Sequence, residues 1–238
     1  MKRMTVTENG LHLVFEINGE NEIKLLHFSA LPFDERTLTS QDGTVGFRLA
    51  EVQISGLDRP GERHGLKYVR TAPGYRLKYQ DFSDTRNELG RKLVITMADE
   101  PLSLIVRSHL QFYDGVQAVR SWTEVVNSGG APRGLEYVSS FALTGVEKEG
   151  LLPFDQKLAL YLPHNGWQKE LHWNRYTLAG LGMSVSQPAE TMHTSKYINI
   201  SNTGNWSTKE YLPMGCLYNQ ETNSSLYWQI EHNGSWHW

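Results

Sequence analysis

Cysteine is almost absent from this chain. Cys216 is the single thiol in 238 residues, so an intrachain disulfide is impossible, and a disulfide scaffold and a multi-cysteine zinc site are both excluded. Excess charge is lacking as well: 26 Asp and Glu against 23 Lys and Arg leave a net charge of −3. No basic surface is therefore expected to hold nucleic-acid phosphates, and nucleic acid is not a partner of choice. A mean hydropathy of −0.47 excludes a membrane bundle, while 39% hydrophobic residues exclude a disordered tail. The first eight residues are basic but reach Glu8 and Asn9 before any apolar stretch begins, so no signal peptide is expected. The Asn-x-Ser sequons at Asn199, Asn205, Asn223 and Asn233 accordingly read as turn chemistry in a cytoplasmic protein.

Chemical signatures are missing too. None of the nine His form a His-x-x-x-His pair, and His232 and His237 bracket a turn without a cysteine, so neither a metal nor a cofactor is expected. The chain has no glycine-rich phosphate loop, no Gly-x-Ser-x-Gly elbow and no cysteine-centred triad, which leaves Ser or Cys nucleophilic catalysis without support. Carboxylates are available at Asp155, Glu170, Glu190 and Glu231, but no spacing says which two would face each other across a substrate. Helical periodicity is the last absence.

What is present is alternation with a period of two. Leu102, Leu104, Val106, Leu110 and Phe112 share one face, with Ser103, Arg107, His109 and Gln111 largely opposite; Asp114-Gly115 follows, then residues 116–126 with Val119 and Val125 on one face and Trp122 on the other. Asp-Gly between two such runs predicts a hairpin closed by a type I′ turn. Weaker strands are predicted at 11–17, 23–28, 47–55, 75–79, 93–97, 136–143, 157–162, 171–178, 197–201 and 226–232, with turns at Asn9-Gly10, Asn18-Gly19, Asp42-Gly43, 127–130, Asn165-Gly166, 202–204 and Asn233-Gly234. Many strands at short spacing predict an all-β fold, a large two-sheet antiparallel β-sandwich. One domain over residues 1–238 is expected, with residues 147–153 as a connection between subregions. The chain stops at Trp236-His237-Trp238, just past a predicted turn; edge aromatic groups without a partner predict that the natural chain continues.

Six of the seven Trp lie after residue 160, which makes the last third chemically distinct. Residues 163–173 place His164, Asn165 and polar donors beside Trp167 and Trp173. A sugar ring offers an apolar face to an aromatic plane and a hydroxyl rim to directional donors, and this segment supplies both; the same two indoles would equally fill the gap between sheets. Residues 205–215 close a turn on Trp206 and set Lys209 beside Glu210, either as a loop presented to a ligand or as a sheet corner. Residues 231–238 gather polar groups around Trp236 and Trp238.

At these three segments the chain resembles the N-terminal region of α-galactosidases of glycoside hydrolase family 36. The resemblance rests on Pro163-His164-Asn165-Gly166-Trp167-Gln168, on residues 206–215 and on residues 228–238, and Leu31-Pro32-Phe33-Asp34-Glu35-Arg36 is similar to the loop preceding the sandwich. It implies a β-supersandwich of the galactose mutarotase-like kind, followed in the full-length enzyme by a (β/α)₈ barrel. It also implies that the two catalytic aspartates, which act by double displacement with retention, sit on that barrel and not on this chain. The role implied is scaffolding: covering the barrel, shaping the pocket for terminal α-galactosides such as melibiose or raffinose, and supporting a homo-oligomer. Trp167, His164, Asn165, Trp206, Trp236 and Trp238 are the substrate-pocket or barrel-contact candidates. Two other classes stay open: a free-standing carbohydrate-binding module, and a mutarotase-like enzyme pairing His164 with Glu170 or His232 with Glu231. Neighbours along one strand point to opposite faces, which weighs against the second.

Overall fold

The computed structural model describes residues 1–37, 47–58, 71–183 and 198–238. The expected turn at Asp42-Gly43, the start of the expected strand at Tyr197 and the carboxylate of Glu190 lie outside them. The chain divides into two compact units, Met1–Val146 and Glu147–Trp238, and the division falls at the start of the segment read as a connection.

In the first unit, β1 (Lys2–Glu8), β2 (Leu11–Ile17) and β3 (Ile23–Ser29) form an antiparallel sheet in chain order. A second short pair joins β4 (Val52–Ile54) to β9 (Leu135–Val138), and β5 (Lys78–Asn87), β6 (Gly90–Asp99), β7 (Leu104–Tyr113) and β8 (Val116–Asn127) form a four-stranded meander. Alternate residues of the two larger sheets share one core, with Leu13, Phe15 and Ile17 packed among Leu93, Ile95, Val106 and Phe112. Phe15 meets Phe82 edge-on at 6.2 Å between ring centres. This is the expected sandwich of antiparallel sheets. Buried charge is compensated locally: the Glu51 carboxylate accepts from the Thr71 backbone N–H at 2.9 Å and its hydroxyl at 2.6 Å, as a buried acceptor requires.

Asn9 and Gly10 both take positive φ, 50° and 77°, as a type I′ turn between β1 and β2 demands. The Asp114-Gly115 turn differs from its expectation. Only Gly115 has a positive φ, 76°, so the turn is not type I′, and the ladder absorbs the mismatch by a register shift between Phe112 and Tyr113. Leu102 lies in a 3₁₀ turn rather than in the strand, which starts at Leu104 after Ser103 adopts a left-handed φ of 55°. The stretch 47–55 contains only the three residues of β4; of the expected strand 75–79 only Lys78 and Tyr79 enter β5, after a 3₁₀ turn at Gly74–Arg76, and the rest of β5 and all of β1, both polar in sequence, were not expected as strands.

In the second unit, β10 (Leu158–His164) and β11 (His172–Thr177) join β13 (Met214–Asn219) and β14 (Ser224–Gln229) in the order β11-β10-β13-β14, all antiparallel. β12 (Ser201–Asn202) pairs with β15 (Trp236–His237). A single turn of α-helix, Phe154–Lys157, precedes β10. One face of the four-stranded sheet supplies Leu158, Leu160, Leu162, Leu217 and Trp228, packed against Leu178 and Trp238. The terminal aromatic residues are thus not stranded: Trp238 and Ile200 exchange backbone hydrogen bonds at 3.0 and 2.9 Å. Their partner is the end of the expected strand 197–201, where Ile200 leads into β12 at Ser201.

Candidate functional site

The three aromatic segments converge within the second unit. β10 ends at His164, whose Nε2 lies 2.7 Å from the Tyr176 hydroxyl of β11 and whose ring tilts against Tyr211 at 4.8 Å. Asn165 follows and ties the second segment down. Its backbone N–H donates to the Glu210 carbonyl at 2.9 Å, its side-chain amide donates to the Thr208 carbonyl, and the Leu212 N–H donates to the Pro163 carbonyl at 3.1 Å. The third segment joins through Trp236, whose Nε1–H donates to the Ser207 carbonyl at 2.8 Å, and through Ser235, whose hydroxyl accepts from the Gly204 N–H at 3.0 Å. Segments separated by tens of residues are therefore held by directional bonds that cost little to make and much to leave unmade.

The candidates divide into two groups by exposure. Trp167 is 86% exposed and Trp206 58% exposed. The loop carrying Trp167 is tight, with Gln168 and Leu171 both at a φ of 59°, a left-handed conformation that costs non-glycine residues roughly 1–2 kcal/mol each. Backbone strain of this kind concentrates where a loop is shaped to present something. Trp236 is buried, and Trp238 packs edge-on against Trp228 at 4.9 Å, so these two indoles form framework rather than surface. His164 and Asn165 are half-buried and serve as the joints between segments.

The structure does not bring His164 to Glu170; the Glu170 carboxylate instead accepts from the Gln168 N–H at 3.2 Å. An acid–base pair does occur on facing strands of the first unit. His109 on β7 stacks on Trp122 of β8 at 4.8 Å with an interplanar angle of 1°, and its Nε2 lies 3.2 Å from the Glu124 carboxylate. Hydrogen bonds from His109 and from Arg107, the latter at 2.9 Å, hold the Glu124 carboxyl below the usual carboxylate range. Sequence reasoning noted the faces of His109 and Trp122 but not Glu124 or the pairing, because the register shift at the turn decides which residues are opposite. His109 and Glu124 are bonded to each other, and Glu124 is ion-paired with Arg107, so the two do not face each other across a space for a substrate. No group of three or more His, Cys, Asp or Glu able to hold a metal occurs among the described residues, and no helix among them is long and apolar enough to cross a membrane.

No protein-family model matches the sequence, and no curated protein matches it. Solved structures do match in fold. Over 99% of its length the chain overlays the GH36 α-galactosidase AgaA from Geobacillus stearothermophilus, with a TM-score of 0.63 and 11% identity. This chain has the fold of part of a GH36 α-galactosidase. A doubly substituted AgaA in complex with raffinose gives 0.60 at 11% identity, and the α-galactosidase from Lactobacillus brevis gives 0.55 at 11%, again over 99% of this chain. The chain spans 36% of the length of AgaA and 38% of the Lactobacillus brevis enzyme.

Proposed function

We propose that this chain is the N-terminal domain of a retaining α-galactosidase acting on terminal α-galactosides such as melibiose or raffinose, and that it forms one domain with a scaffolding role. The observation that carries the reading is the fold correspondence along the whole chain, which spans little more than a third of each enzyme. The remainder of such an enzyme is where a (β/α)₈ barrel with its two aspartates belongs. The raffinose complex of the AgaA variant supports the choice of substrate class. The chain supplies no catalytic residue and needs no cofactor; its partners are the barrel of the same polypeptide, further copies of itself and, in the whole enzyme, the galactoside.

Within this reading Trp167 and Trp206 are the contact residues, since their indoles project to solvent while His164, Asn165, Trp236 and Trp238 fix the segments behind them. Exposed Trp side chains dominate the energetics of surfaces they enter. In the chain joined to its downstream barrel, Trp167→Ala or Trp206→Ala should raise KM for melibiose about tenfold or shift the oligomer toward smaller species, the loss expected for one aromatic anchor of about 1.4 kcal/mol. Steady-state kinetics and light scattering check this; unchanged KM together with unchanged oligomer size contradicts it.

A further inference from the structure

Alternation along the second unit's four-stranded sheet sends Leu158, Leu160, Leu162 and Leu217 inward, and it must send their neighbours outward. Tyr161 and Tyr218 are among those neighbours. Tyr161 of β10, Trp173 of β11, Cys216 and Tyr218 of β13, and Ser225 and Tyr227 of β14 line an open concavity of about 380 Å³. Tyr161, Cys216 and Tyr227 occupy one cross-strand row, and Tyr218 pairs with Ser225 in the next. The hollow follows from that pattern: two small side chains, Cys216 and Ser225, lie among four large rings.

We infer that this outer sheet face is a carbohydrate-binding site taking an uncharged di- or trisaccharide. The lining contains no charged residue and no Leu, Ile, Val or Met; Arg175, opposite Tyr161 on β11, lies outside it, so the hollow matches neither an ionic nor an aliphatic ligand. Rings with hydroxyl or indole edges offer flat apolar faces to the C–H side of a pyranose and directional polar groups to its rim. Tyr227 is 54% and Trp173 40% exposed, so these planes are open to a ligand. Among the described residues, the Tyr161 hydroxyl and the Trp173 Nε1–H make no hydrogen bond, whereas Tyr218 donates to the Asn223 side chain at 3.1 Å and Tyr227 makes a weak contact with the Met214 sulfur at 3.5 Å. Burial pushes the Cys216 thiol up in pKa, keeping the floor neutral. The volume is at the small end of ligand pockets, which fits a short oligosaccharide. Strands lie about 4.8 Å apart, so four of them spread the rings over roughly 14 Å.

This inference goes beyond the domain's role in the enzyme and rests on that role only for the choice of probe. The test uses the 238-residue chain, raffinose and melibiose, and indole N–H resonances in ¹⁵N-labelled protein. The Trp173 resonance should shift saturably with a Kd of about 1 mM. Trp173→Ala and Tyr227→Ala should each weaken binding about tenfold, while Leu151→Ser, on an exposed side chain outside the lining, should leave it unchanged. Tyr227→Phe keeps the ring and the fold and should lose affinity severalfold less than Tyr227→Ala. No saturable shift up to about 50 mM sugar overturns the inference. So do titrations identical in wild type and ring variants, or ring variants that alter only the oligomeric state. None of these failures touches the proposed enzyme, whose test is turnover by the longer polypeptide.

Discussion

Asp34 accepts a hydrogen bond from the Arg36 backbone N–H at 3.0 Å and a two-pronged contact from the Arg36 guanidinium at 2.9 and 2.7 Å. The guanidinium, then the backbone donor, holds its carboxyl down at about 2. Because the folded pKa lies below the unfolded value of about 3.9, the ion pair contributes its stability fully above that value and loses it as pH falls toward 2. The side chain is exposed, so the contribution is small. A ¹³C titration of the Asp34 carboxyl should give a midpoint near 2 and return to the ordinary range in Arg36→Ala; an ordinary midpoint in the wild type contradicts the contact. The residue scale also marks where composition was informative. The concentration of Trp after residue 160 singled out the last third of the chain, yet Trp167 is at the surface and Trp236 in the core. Exposure is decided by which segment lies across the ring, and no local sequence encodes it. Tyr161, Tyr218 and Tyr227 were missed for a related reason: each is ordinary in its own strand, and only the pairing of three strands assembles them.

At the scale of the element, Gly215 shows how one strand constrains another. It sits on β13 directly opposite Trp228 of β14, and a Cβ built on it would enter the Trp228 ring. Its φ is not in the left-handed region, so the objection to a side chain is steric. Gly215→Ala should therefore destabilise the second unit by about 1–3 kcal/mol, the usual cost of overpacking, read as a lower urea midpoint; an unchanged midpoint contradicts the packing. Strands with strong alternation were legible to within a residue or two: 11–17 matches β2, and 157–162 lies almost entirely within β10. β1, β5 and β13 were not. Lys2–Glu8 and Lys78–Asn87 are polar enough to resemble loops and become strands because long neighbours, β2 and β6, need partners for their backbone groups. The register of β7 on β8 was equally hidden. A regular two-residue loop would set His109 opposite Arg120, while the observed shift sets it opposite Trp122 and so creates the His109–Glu124 contact.

For the whole molecule, the sandwich of antiparallel sheets was readable because period-two patterning and Asn-Gly turns act locally. The convergence of residues 163–173, 205–215 and 231–238 was not, since it depends on hydrogen bonds such as Asn165 to Glu210 and Trp236 to Ser207 between segments that share no local signal. Resemblance in those segments anticipated the fold that the solved α-galactosidases display, at an identity of 11% or less where pattern outlives sequence. On the proposed reading, this chain is the front domain of a longer α-galactosidase and holds none of its catalytic groups. Galactose release from melibiose, measured side by side for the product of the complete coding sequence and for residues 1–238 alone, tests it most directly. Release by the longer product and none by residues 1–238 is the predicted result; release by residues 1–238 alone, or a complete coding sequence that ends at Trp238, contradicts it.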